Sequence, residues 1–148
     1  MPPVSPTPTP HHGGESYRLV VPNTAHAPRL AREFVSALLD VSGYTPLVDD
    51  ARVCVTELVT NAHRHTRTRL IRVDAVVNRK QATVYVRDDN PWALPAPGEA
   101  GAGVVQEGGQ GLRLVESLAR AWGLTIYGGR SPSYKAVWFN LARHGAAA

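Results

Sequence analysis

Apolar residues recur along the chain with two periods, close to 3.6 and to 2, and they divide it into elements. The run YRLVV (17–21), closed by Pro22, reads as a short strand. Asn23 or Thr24 offers an N-cap, and Pro28 sits in a first turn. Leu30, Phe34, Ala37 and Leu38 then repeat at helical spacing to about Val41, and Ser42-Gly43 ends the helix. A second helix is predicted from about Pro46 to His65, with Leu47, Ala51, Cys54, Val55, Leu58 and Ala62 as its apolar stripe. Ile71, Val73, Ala75 and Val77 alternate with polar residues as a half-buried strand, and NRKQ (78–81) is a turn. Ala82, Val84 and Val86 alternate with Thr83, Tyr85 and Arg87, which completes a hairpin. Residues 89–110 are rich in Pro and Gly and show no period, as expected of a lid. A third helix follows from Gly111 to Ala121, with Val115, Leu118, Ala119 and Trp122 on one side. Two strands, 123–128 and 133–142, close the pattern.

Helices and strands do not alternate strictly, which excludes a doubly wound parallel sheet. The economical solution is an α+β two-layer sandwich, with three helices on one face of a mixed, mostly antiparallel sheet of about five strands. Residues 1–15 hold five prolines and one charge and read as a disordered tail. The folded domain is expected over 16–143, with its lid at 89–110 and a short tail at 144–148.

At 148 residues and 43% apolar composition, the chain is sized for one domain with one core. No apolar run nears the roughly 18 residues that span a bilayer, and the N-terminus lacks a secretory pattern. A single cysteine, Cys54, excludes an internal disulfide framework and a cysteine-based zinc cluster, which fits a cytoplasmic protein. The net charge is +4, and Arg64, Arg67, Arg69 and Arg72 form the one dense basic run. This permits nucleic-acid binding, but a solvated helix-to-strand corner explains it equally well. Direct nucleic-acid binding is not the expectation.

Three segments carry candidate chemistry. Glu57 and Asn61 lie four apart on the shoulder of the second helix's apolar stripe, so their side chains point to one place. A carboxylate and a carboxamide there can hold a hydrated Mg²⁺ and orient a nucleophile; a local hydrogen bond of a surface Glu gives the same pattern. His65 continues that line and suits a helix C-terminus. Asp88 shares the parity of Val84 and Val86, so it points inward and needs donors: an adenine amino group, a backbone N–H or an arginine. Asp89 points the other way, as a turn residue. Gly108, Gly109 and Gly111 stand at the start of an amphipathic helix, a form suited to phosphate.

ELVTNAHRH (57–65), VRDDNP (86–91) and GGQGL (108–112) together resemble the N box and the two glycine boxes of the Bergerat-fold ATPases, which include histidine kinases and gyrase. The single-domain layout, with LVESLARAWG and SYKAVWFNL, is similar to the anti-sigma-factor serine/threonine kinases of the RsbW and SpoIIAB type. The resemblance covers about residues 16–142. It implies the histidine kinase-like ATPase fold, with ATP and Mg²⁺ as cofactors. Glu57 would be the general base, Asn61 the Mg²⁺ ligand and Asp88 the adenine anchor. Asn90, Gly108, Gly109, Gly111 and Leu112 would line the nucleotide. The implied reaction is γ-phosphate transfer to Ser or Thr of an anti-sigma antagonist of the STAS type. A sigma factor would be the second partner, and the chain would form a homodimer. Two family glycines are replaced by Asn90 and Trp92. Asn90 could supply a positive φ, and Trp92 could cover the purine. Ala136 stands where the relatives' nucleotide-side Thr is sought. The alternative of the same fold is a non-catalytic module with a degenerate pocket that sequesters a protein.

Overall fold

The computed structural model describes residues 14–92 and 107–143, the side chains of 107–110 excepted. Eight principal elements run in the order β1 (Glu15–Pro22), α1 (Ala27–Val41), α2 (Val48–His65), β2 (Leu70–Val77), β3 (Gln81–Asp88), α3 (Glu107–Leu118), β4 (Ala121–Tyr127) and β5 (Tyr134–Ala142). A single 3₁₀ turn, Thr45–Leu47, joins α1 to α2. The strands form one open sheet in the order β1-β2-β3-β5-β4, and every neighbouring pair is antiparallel. The α+β sandwich of three helices and five strands is as expected, but the sheet is not mixed. β3 and β4 run in the same direction with β5 between them, so the connection through α3 is a crossover that skips one strand, and β5 fills the gap antiparallel to both.

One core joins the two layers. Ile71, Val73, Ala75 and Val77 of β2, Val84 and Val86 of β3, and Val137, Phe139 and Leu141 of β5 point to the helices. Ala51, Cys54, Val55, Leu58, Val59 and Ala62 answer from α2. The α2 stripe is therefore where periodicity places it. In α1 the buried row is Ala27, Ala31, Val35, Leu38 and Leu39, while Leu30 is 48% exposed and Ala37 is exposed. Periodicity fixes the spacing of such a row. Its phase is set by the neighbours, here α2 and β1.

Boundaries shift in three places. Pro46 lies in the 3₁₀ turn, and α2 begins at Val48. Trp122 is not on a helix: α3 stops at Leu118, and the indole is buried from β4. Asn23 and Thr24 do not cap α1 as N-cap residues, since the N-cap is His26. Asn23 instead ties the layers, donating from Nδ2 to the Thr68 carbonyl at 2.8 Å and placing Oδ1 2.7 Å from His63 Nδ1. Among the described residues, no helix is long and apolar enough to cross a membrane.

Candidate functional site

α2, the end of β3, the start of α3 and the start of β5 supply the site. On α2, Glu57 and Asn61 are both half-buried, on the rim of the stripe that Leu58 and Ala62 bury. The glycines of GGQG do not precede a helix. Gly108, Gly109 and Gly111 lie in the first turns of α3. Gly111 is buried against Glu57, and a Cβ there would collide with the Glu57 carboxylate. The glycine thus leaves room for the Glu57 carboxylate beside the first turns of α3, whose dipole favours negative charge. Leu112, expected beside the nucleotide, sends its side chain into the core at 1% exposure.

Asp88 ends β3 on the helix side of the sheet, as its parity requires, and is 3% exposed. Its donor comes from the protein itself. Lys135 stands opposite it on β5, with Nζ 2.8 Å from both carboxylate oxygens. Nζ also donates to the Asn90 carbonyl at 2.7 Å, and the Asn90 N–H donates to Asp88 Oδ1 at 2.8 Å. All three ammonium protons and both carboxylate oxygens are engaged. Burial pushes the Asp88 carboxyl up from its ordinary pKa, against the lowering effect of Lys135 and the Asn90 N–H. Burial likewise pushes Lys135 down, against the raising effect of Asp88. Desolvation leads in both, so the pair is held by close geometry in a dry setting.

Ala136 does not stand at the nucleotide side. It points to the opposite face, packed with Tyr85 and Trp138. The inward residue is Lys135, which sequence reasoning missed. A lysine sharing the parity of Val137 and Phe139 was the available signal, but its facing Asp88 depends on the register of two strands 47 positions apart.

The replaced glycine box also differs from expectation. Among the described residues no non-glycine residue has a positive φ, so Asn90 does not imitate glycine. It makes an Asx turn instead, its Oδ1 accepting the Trp92 N–H at 3.0 Å. Trp92 is 74% exposed and covers nothing described. Asp89 is exposed and turns outward as expected, its Oδ2 3.0 Å from Thr68 Oγ1 and its Oδ1 4.0 Å from Arg72. Of the lid expected at 89–110, residues 93–106 lie outside the described residues, while Glu107–Gln110 belong to α3. His65 is exposed at the last position of α2. The basic run is dispersed: Arg64, Arg67 and Arg69 are exposed around the α2–β2 corner, while Arg72 stands beside Asp89.

The residues fit Mg-ATP at one end only. Glu57 and Asn61 stand one turn apart on α2 with Gly111 of α3 against Glu57, and a carboxylate and a carboxamide are oxygen donors of the kind Mg²⁺ takes. The base end does not fit as it stands, because an adenine amino group can bond Asp88 only in competition with the Lys135 ammonium.

Residues 21–139 match the family described as the histidine kinase-like ATPase domain. A domain of that description implies ATP binding, typically with Mg²⁺. No curated protein matches the chain.

Proposed function

Since this chain belongs to the histidine kinase-like ATPase domain family, we propose that it is an ATP-binding regulatory protein of the anti-sigma kind, one that acts by holding a protein partner. The buried Asp88–Lys135 pair carries this reading. With the ammonium on the base anchor, nucleotide occupancy is low until Lys135 yields, and the protein surface does the regulating. The partners proposed are a sigma factor and a STAS-type antagonist, with the chain itself a cytoplasmic homodimer that does not bind nucleic acid directly.

Calorimetric titration with Mg-ATP tests the reading. Lys135→Thr is expected to tighten binding at least tenfold relative to the natural protein. An unchanged or weaker affinity in a folded Lys135→Thr variant rejects it. Lys135→Gln, which keeps a donor for Asp88, serves as the control for folding.

A second reading, a Mg-ATP-dependent Ser/Thr kinase acting on the antagonist, is favoured by one observation. The Glu57 carboxylate is retained at the amino end of α3, one turn from Asn61. Transfer of labelled phosphate to a STAS-type protein, lost in Glu57→Gln, would establish it. No transfer at millimolar Mg-ATP would leave the holding function alone.

A further inference from the structure

The turn after β3 is held from two sides. On the inner side Lys135 bonds the Asp88 carboxylate and the Asn90 carbonyl. On the outer side stands Thr68, buried in the connection between α2 and β2. Its Oγ1 accepts the Asp89 N–H at 3.2 Å and lies 3.0 Å from Asp89 Oδ2. One hydroxyl therefore grips both the backbone and the carboxylate of the residue between Asp88 and Asn90. Thr68 is itself fixed. Asn23 donates from its backbone N–H to the Arg69 carbonyl at 3.0 Å and from Nδ2 to the Thr68 carbonyl at 2.8 Å. Because Nδ2 faces a carbonyl, Asn23 Oδ1 is turned toward His63 Nδ1, 2.7 Å away, and that nitrogen carries the proton. The contacts run from His63 on α2 through Asn23, Thr68 and Asp89 to the Asp88–Lys135 pair.

The Thr68 hydroxyl has one proton and two acceptors for it: Asp89 Oδ2 at 3.0 Å and the Leu70 carbonyl at 2.9 Å. The carboxylate is the stronger acceptor. With the proton on Asp89, the turn is tied to the start of β2, and the Asn90 carbonyl stays 2.7 Å from Lys135 Nζ. With the proton on Leu70, the Asp89 carboxylate is given up to water, which costs little because that side chain is already 56% exposed. The turn can then carry the Asn90 carbonyl away from the ammonium. A buried ammonium that loses one of its three acceptors is under-satisfied, and the ion pair loosens.

We propose that Thr68 is a positioning residue of the Asp88–Lys135 pair: by gripping Asp89 it keeps the Asn90 carbonyl on the Lys135 ammonium, and so sets how easily the nucleotide end opens. The consequence for nucleotide rests on the function proposed above; the grip on the pair does not. Proton exchange of the Lys135 ammonium, followed by NMR on the full chain without nucleotide, tests the grip. In Thr68→Val it is expected to run at least fivefold faster, while the amides of Val86 and Val137, which face each other across β3 and β5, keep their rates. Thr68→Ser, which retains the hydroxyl, is expected to keep the natural rate at Lys135. An unchanged Lys135 rate in Thr68→Val overturns the proposal. So does an acceleration shared by Val86 and Val137, since that is a general loss of stability. Titration of Thr68→Val with Mg-ATP separates the two readings. At least threefold tighter binding supports both, whereas faster Lys135 exchange with no gain in affinity supports the grip and counts against the nucleotide reading.

Discussion

Lys135 Nζ sits 2.8 Å from each carboxylate oxygen of Asp88, with both side chains 3% exposed. Breaking such a pair from one side strands a charge in a dry place, at a cost of about 3–5 kcal/mol. Lys135→Met is therefore expected to lose about that much stability in urea denaturation. Lys135→Met combined with Asp88→Asn should recover most of the loss, because neither position then buries an unpaired charge. A double variant as unstable as the single one would show that the lysine acts by packing alone.

Gly111 separates α3 from the Glu57 carboxylate by having no side chain. In Gly111→Ala the flexible end of Glu57 gives way before the helices do. The expected result is a stability change within about 1 kcal/mol, the helix propensity of alanine offsetting the crowding. Any nucleotide-dependent activity should fall about as far as in Glu57→Gln. A loss of several kcal/mol in thermal or urea unfolding would show instead that α3 has been pushed off α2.

Burial pushes the Cys54 thiol up to about 12, with Asp50 and Glu57 adding to the effect, while an unburied thiol ionises near 9. Between these values the unfolded chain has released the proton and the folded one keeps it, so stability falls as pH rises. Tyr85, pushed up to about 12 chiefly by burial, has the same sign from pH 10 upward. The free energy of unfolding should thus decline from about pH 9, and Cys54→Ala should flatten its slope between pH 9 and 10. In the native protein at pH 8 a thiol reagent should modify Cys54 only at the rate of unfolding. Rapid modification, or stability that rises from pH 9 to 10.5, would contradict the burial.

Much of this architecture was legible because its signals are local. The period-2 alternation of Ile71 to Val77 and the stripe from Ala51 to Ala62 appear in the structure where the sequence places them. The shoulder position of Glu57 and Asn61 and the inward turn of Asp88 followed from the same two periods. What failed depends on neighbours distant in sequence. The phase of α1 is set by α2 and β1, and the start of β4 at Ala121 by its pairing with Asn140. The partner of Asp88 is the clearest case. Parity turned Asp88 inward, but only the register of β3 against β5 selects Lys135 over Ala136 as the residue that meets it.

The chain has two lysines, Lys80 and Lys135, and Lys80 is exposed in the β2–β3 turn. Selective labelling of lysine side-chain nitrogen therefore gives one signal for the lock and one internal control. Without nucleotide, the Lys135 ammonium should exchange its protons slowly, as a buried and fully bonded group. As Mg-ATP saturates the protein, that protection should disappear while Lys80 stays constant, since the base takes Asp88 only by displacing the ammonium. If Mg-ATP saturates the chain and the Lys135 signal keeps its position and protection, nucleotide binds without opening the pair, and the account of the site is wrong.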